Sequence, residues 1–322
     1  MKFYFLASVH FLGIQTTLNR GINLMEGVRL SNNTEKLDEI IDSYFSNQIG
    51  GLEKGALIKN PFFYYHGDLP ENHNPLSERD NLELLDYYLK IVQSYNNFLW
   101  LEKDNSVDVE LGFLYIKDSK NFLNNSVTSN SRSVTFLNAG LERETVIFTL
   151  EELRAISDWA SNHDYKKLLP IDKQNDETKT LKTNRLDRFN FFLQGTRSQA
   201  YLPLRIGMYC TLLEILLSTD NTEVSHKISE RLSLLLGETY DEKLKIYSFI
   251  KKAYAIRSSV YHGSNLPKKG SDEISLKKTS REFDEYVRRL YLKIISDSEI
   301  LKLYIDDDIT GIEKFFKELL FK

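Results

Sequence analysis

The chain has a single cysteine, Cys210. One thiol can form neither an internal disulfide nor a cysteine-based zinc site. Lying in the apolar run Met208–Leu217, it reads as a buried, inert thiol. An uninterrupted apolar stretch of the roughly 20 residues a membrane span needs is also lacking. The longest candidate, Tyr201–Leu217, contains Arg205 and Glu214. Met1-Lys2 followed by Phe3–Ile14 superficially resembles a signal peptide, but His10 interrupts it and no small-residue cleavage site follows. These absences predict a reducing, cytoplasmic setting and no membrane partner. There is no excess of basic charge either. The net charge of −4 excludes an overall nucleic-acid signature, so any polyanion site must come from local clustering. No Walker A loop, dinucleotide glycine fingerprint or G-x-S-x-G elbow is present, and no fixed-period repeat.

What is there is globular. A length of 322 residues with 41% hydrophobic and 27% charged side chains suits one large or two ordinary domains. Residues 1 to about 150 mix periodicities. Phe3–Ile14, Phe62–His66, Val107–Ile116 and Ser133–Leu137 read as strands. Lys36–Phe45 reads as a short helix and Ser77–Leu101 as a long one, capped by Ser77, with Leu82, Leu85, Leu89 and Val92 at helical spacing. The polar stretch Lys120–Arg132 reads as a loop. Thr149, with Glu151 and Glu152 behind it, opens another helix. Pro170–Asn184 is polar and reads as a linker.

From Arg185 onward the pattern is helical: Arg185–Arg197, Leu204–Leu217, Glu223–Leu236, Tyr240–Tyr261, one long helix from Thr279 to Tyr304, and Thr310–Phe321. Gly237 and Gly263 are placed as C-terminal helix stops. The expected architecture is therefore an α+β domain over 1–170 followed by an all-α helical bundle over 184–322.

One segment of the bundle stands out: Lys251-Lys252-Ala253-Tyr254-Ala255-Ile256-Arg257-Ser258-Ser259-Val260-Tyr261-His262-Gly263. An arginine precedes a histidine by five residues, at a helix end. Upstream lie Leu213-Glu214 in an apolar helix and Arg231-Leu232-Ser233-Leu234-Leu235-Leu236-Gly237. In this order the residues resemble the R-x4-H motif and surroundings of HEPN-domain ribonucleases, and the Apea-like HEPN family in particular. The resemblance covers about residues 185–304 and leaves residues 1–170 unassigned. It implies a HEPN-like bundle, RNA as substrate, products with 2′,3′-cyclic phosphate ends, and no cofactor. It further implies a role in prokaryotic anti-phage defence or growth arrest, with residues 1–170 sensing a phage-derived or nucleotide trigger.

The residue types suit that chemistry. RNA supplies its own nucleophile, the 2′-hydroxyl. A histidine such as His262 performs the proton transfers, and an arginine such as Arg257 offers a permanent bidentate cation to the phosphorane. Ser258, Glu214 and Tyr261 are supporting candidates. Many HEPN nucleases carry Asn, Asp or His directly after the arginine, where this chain has Ser258, which leaves that role open. On a regular helix, positions five apart point about 140° away from each other. Either the helix ends near His262 or two chains contribute, and the resemblance implies a homodimer with a composite site.

Local charge adds a polyanion surface. Lys251–Arg289 holds ten Lys/Arg against five Asp/Glu, a net of +5. Lys251, Lys252, Lys268 and Lys269 are the RNA-binding candidates. Three other readings stay open. Arg257 and Glu214 form a structural ion pair in a HEPN-fold module that binds RNA or protein without cleaving. The run Phe62-Phe63-Tyr64-Tyr65 stacks bases rather than filling a core. His66 and His73, flanking a loop with Asp68 and Glu71, hold a metal in an N-terminal hydrolase, although their spacing fits no zinc motif.

Overall fold

The computed structural model describes residues 1–132, 134–162 and 183–321. It contains two compact units. One takes Met1–Phe136 and the residues from Arg143 through the helix that follows Thr149. The other takes Leu137–Glu142 and the helices from Arg185 onward. An antiparallel sheet with helices is followed by an all-helical region, the α+β then all-α order expected from the sequence.

In the first unit the elements run β1 (Lys2–Ser8), β2 (Leu12–Ile14), β3 (Ile22–Asn23), β4 (Arg29–Ser31), α1 (Thr34–Ile40), α2 (Ser43–Gln48), α3 (Gly51–Lys59), β5 (Phe62–Asp68), α4 (Glu78–Glu102), β6 (Leu111–Lys117), β7 (Ser126–Ser131), β8 (Val146–Phe148) and α5 (Leu150–Asn162). Six strands form one antiparallel sheet in the order β3-β4-β5-β1-β6-β7. Side chains alternate across it, as the two-residue period of a strand requires. Leu6, Phe62, Tyr64, Phe113 and Tyr115 meet Leu37, Ile40, Phe45 and Leu57 of α1–α3 on one face. On the other, Phe3 and Phe5 lie 5.7 and 5.3 Å from the Tyr88 ring of α4. The Phe62–Tyr64 run is thus core, with all three rings buried.

Three strand expectations need correction. Phe3–Ile14 is not one strand: Phe11 adopts φ 60°, and β2 leaves the main sheet to pair in parallel with β8. Ser133 lies outside the described residues, and Val134–Leu137 is irregular rather than a strand. The strand that follows β6 is instead β7, inside the polar stretch expected as a loop. It pairs with β6 only, and an edge strand can be polar because one flank needs no apolar neighbour.

The helical unit contains α6 (Arg185–Ser198), α7 (Leu202–Leu217), α8 (Val224–Leu236), α9 (Tyr240–Tyr261), α10 (Glu273–Ser296), α11 (Ser298–Ile305) and α12 (Ile309–Leu320). Residues 170–182 of the expected linker lie outside the described residues. Asn184, its last residue, forms a reciprocal capping box with Asp187 at the start of α6. Eleven of the sixteen residues of α7 are buried. A helix this apolar must be central, and α6, α8, α9 and α10 pack around it. Leu137–Glu142 belongs to this unit through Leu137, whose N–H donates to the Arg197 carbonyl at 3.0 Å and whose carbonyl accepts from buried Arg205 at 3.0 Å.

The expected single helix Thr279–Tyr304 is two. It breaks at Asp297, whose side chain accepts from the Glu299 and Ile300 amides and restarts the chain as α11. Gly237 does end α8, but not through a left-handed conformation: its φ is −90°. A Cβ there would lie 2.9 Å from both the Ser233 carbonyl and the Lys243 nitrogen, so close packing demands the glycine. Gly263, at φ +65°, is a left-handed stop.

Candidate functional site

Helix α9 packs against both α7 and α8. A capping box of Thr239 and Glu242 starts it, and the chain leaves it at His262. Residues 254, 257, 258 and 261 follow the i, i+3, i+4, i+7 spacing that puts them on one face. Three of them meet α7. The Tyr254 hydroxyl donates to Glu214 Oε1 at 3.0 Å and Arg257 Nη2 donates to Glu214 Oε2 at 3.1 Å. Tyr261 packs its ring over Gly207, where an added Cβ would stand 2.7 Å from it. The Arg257 guanidinium carbon lies 5.7 and 5.2 Å from the ring centroids of Tyr254 and Tyr261, within cation–π range.

This arrangement borders an open cavity of about 550 Å³, lined among others by Glu214, Ser225, Lys251, Tyr254, Arg257 and Ser258. Lys251 Nζ donates to Ser225 Oγ at 3.3 Å. Burial raises the Tyr254 hydroxyl far above its usual range, reinforced by the Glu214 carboxylate, so Tyr254 acts as a fixed donor. The Arg257 side chain is 32% exposed and that of Glu214 22%. A pair this open contributes at most about 1 kcal/mol, so an incoming anion can compete for the guanidinium. The Arg257 Nε–H is buried and has no hydrogen-bond partner among the described residues.

His262 caps α9 with its backbone amide donating to the Ser258 carbonyl at 3.1 Å. Its side chain is exposed and makes no hydrogen bond or ion pair among the described residues. The cavity thus gathers Glu214, Arg257, Ser258 and Lys251, with Tyr261 beneath the guanidinium. His262, Lys252, Lys268 and Lys269 do not line it; the last three are exposed. Several other cations of the basic segment are engaged within the unit. Lys277 and Arg281 pair with Glu142, and Arg288 with Asp284.

Sequence reasoning counts Tyr254 among the residues of the HEPN resemblance without assigning it a role in the site, and misses Ser225. Tyr254 carried a signal, standing three residues before Arg257. Ser225 carried none, because only the packing of α8 brings it to Lys251. Cys210 is buried and burial pushes its thiol up, as expected of an inert cysteine. His73 is engaged with Asn81 at 2.8 Å, and among the described residues no group of three or more His, Cys, Asp or Glu is placed to hold a metal. Asp307 pairs with Arg185 and Arg188.

Among the described residues no helix is long and apolar enough to cross a membrane. Compared with protein-family models, with curated proteins and with solved structures, the chain finds no match.

Proposed function

We propose that this chain is a metal-independent endoribonuclease of the HEPN type. His262 takes the proton of the 2′-hydroxyl, which attacks the adjacent phosphorus. Arg257 stabilises the charged phosphorane. The 5′-oxygen leaves with the proton that the protonated His262 gives back, so His262 serves as base and then as acid, and the products are a 2′,3′-cyclic phosphate and a 5′-hydroxyl. The observation that carries this reading is the state of Arg257. Its guanidinium walls an open cavity, is held by a partly exposed carboxylate, and keeps a buried Nε–H unpaired. A phosphate oxygen entering the cavity can compete with the Glu214 carboxylate for the exposed part of the guanidinium. Tyr254 and Glu214 aim the guanidinium, and Lys251 extends the positive charge.

His262 does not line the cavity of its own chain, and the 140° offset from Arg257 gives the reason. The reading therefore includes a homodimer in which the exposed His262 of each chain serves a shared site. Under the same resemblance the protein acts in the cytoplasm, in growth arrest against phage, with the α+β unit sensing the trigger. The test is RNA cleavage in EDTA by wild type and by His262→Ala. Loss of cleavage in the variant supports the reading, and wild-type activity in the variant removes it.

One observation favours a second reading. Glu214 engages both Tyr254 and Arg257 within one chain, as a structural ion pair would. If the wild-type protein binds RNA and leaves it intact, the chain is a non-catalytic HEPN-fold binding module.

A further inference from the structure

Helix α9 carries tyrosine at every seventh position along its whole length: Tyr240, Tyr247, Tyr254 and Tyr261. Seven residues advance a helix by about 10.5 Å and return to nearly the same face, drifting about 20° per step. Four aromatic rings therefore stand in a row along one edge of α9. Two observations separate this row from ordinary core packing. Its ends are open, with Tyr240 77% and Tyr261 51% exposed. Its middle members have their hydroxyls tied down from the neighbouring helices: Tyr247 by His226 Nδ1 of α8 at 2.8 Å, and Tyr254 by Glu214 of α7. Such rings are fixed in orientation while remaining incompletely covered.

Cations interleave with the rings. Lys251 lies between Tyr247 and Tyr254, and Arg257 between Tyr254 and Tyr261. Both border the cavity that Tyr254 lines. Aromatic rings alternating with cations along one edge of a helix suit a sequence-tolerant single strand: the rings stack bases and the cations follow the phosphates. The interval fits as well. About 10.5 Å corresponds to roughly three nucleotides of a stacked strand at about 3.4 Å each. A duplex, whose bases are already paired and stacked, offers no free base face to a row of rings.

We infer that the tyrosine edge of α9 is a single-stranded RNA track, with Tyr247 and Tyr254 as stacking platforms and Lys251 as a phosphate contact leading to Arg257. The inference rests on the ribonuclease reading only for the direction in which the strand is presented. The binding itself does not depend on cleavage. Tyr247 is the diagnostic position because it lies about 15 Å along the helix from Arg257 and touches no residue of the proposed reaction.

The experiment uses a labelled 12-nucleotide RNA with every 2′-hydroxyl methylated, which has no nucleophile and cannot be cleaved by 2′-attack. Fluorescence anisotropy gives Kd for the full-length wild type, Tyr247→Ala, Tyr247→Phe and Lys251→Ala, with folding checked by circular dichroism. Tyr247→Ala is expected to weaken binding by about 5- to 150-fold, the range of one lost base stack. Tyr247→Phe keeps the ring and is expected to stay within about twofold of wild type. The blunt duplex of the same sequence is expected to bind more weakly than the single strand. Equal affinity of wild type and Tyr247→Ala overturns the track. So does a loss in Tyr247→Phe as large as in Tyr247→Ala, since the contact with His226 would then matter and not stacking. Displacement of the RNA by a poly-glutamate peptide, with affinity insensitive to Tyr247→Ala, would assign the face to acidic peptides and overturn it too. Unmethylated RNA of the same sequence is assayed in parallel. Normal binding without cleavage ends the ribonuclease reading and leaves the track standing; cleavage with no effect of Tyr247→Ala on binding ends the track alone.

Discussion

Arg257 holds a position between two roles, and its neighbours decide how it can be probed. Its ion pair with Glu214 is about a third exposed, so breaking it is cheap in stability. Arg257→Lys keeps the charge but loses the planar, two-pronged donor set. RNA cleavage is expected to fall by at least about 100-fold, while the melting temperature changes by less than about 4 °C. A large fall in melting temperature without loss of cleavage would make Arg257 structural. Gly207 offers a finer probe. A methyl there meets the edge of the Tyr261 ring at 2.7 Å. The ring is half exposed and can swing away, and alanine is the better helix former by about 1 kcal/mol. Gly207→Ala is therefore expected to keep or raise stability while lowering RNA cleavage, through loss of the ring beneath Arg257. Unchanged cleavage would show that Tyr261 does not support the guanidinium.

At the scale of elements, packing and capping rather than pattern set several boundaries. Gly237→Ala forces a Cβ against two backbone atoms at the α8–α9 turn and is expected to cost about 1–3 kcal/mol, read as a lower denaturant midpoint. In the α+β unit, His10 bridges to Asp108 through reciprocal backbone bonds of 2.9 and 3.1 Å. Burial, and after it the Arg143 guanidinium, hold its imidazole below the ordinary histidine range, with Glu110 opposing. The unfolded chain therefore takes up this proton at a higher pH than the folded one. The stability involved is complete above the ordinary value near 6.5 and is lost as pH falls through the folded value. His10→Asn is expected to show a smaller drop in melting temperature between pH 7 and pH 5 than wild type. Parallel drops would mean that His10 does not report on folding. The same elements show what the sequence carried. Tyr240–Tyr261 was readable residue for residue because its cap, period and glycine stop agree. Residues 126–131 were not, because an edge strand whose one apolar residue is Val127 has no apolar alternation to betray it. Nor was the break at Asp297, where one side-chain cap outweighs an unbroken helical period.

Across the whole molecule, the order of an α+β unit and a helical unit was legible in composition and periodicity. The candidate site was only partly so. The meeting of Glu214 with Arg257 was foreseeable as a charge needing a partner on an apolar helix. The separation of His262 from the cavity was foreseeable from the turn angle. The approach of Ser225 to Lys251 and the hold of Tyr254 on Glu214 depend on how three helices pack, which no single segment encodes. A shared site further requires association: the wild-type protein is expected to sediment as a dimer at concentrations where it cleaves, and activity from a monomer would leave the composite site without support. The central claim is most directly tested by incubating labelled RNA with wild type and with His262→Ala in EDTA and identifying the new ends. Wild type should yield 2′,3′-cyclic phosphate and 5′-hydroxyl ends, with His262→Ala slower by at least about 100-fold. Intact RNA with wild type, or equal cleavage by the variant, would contradict the account.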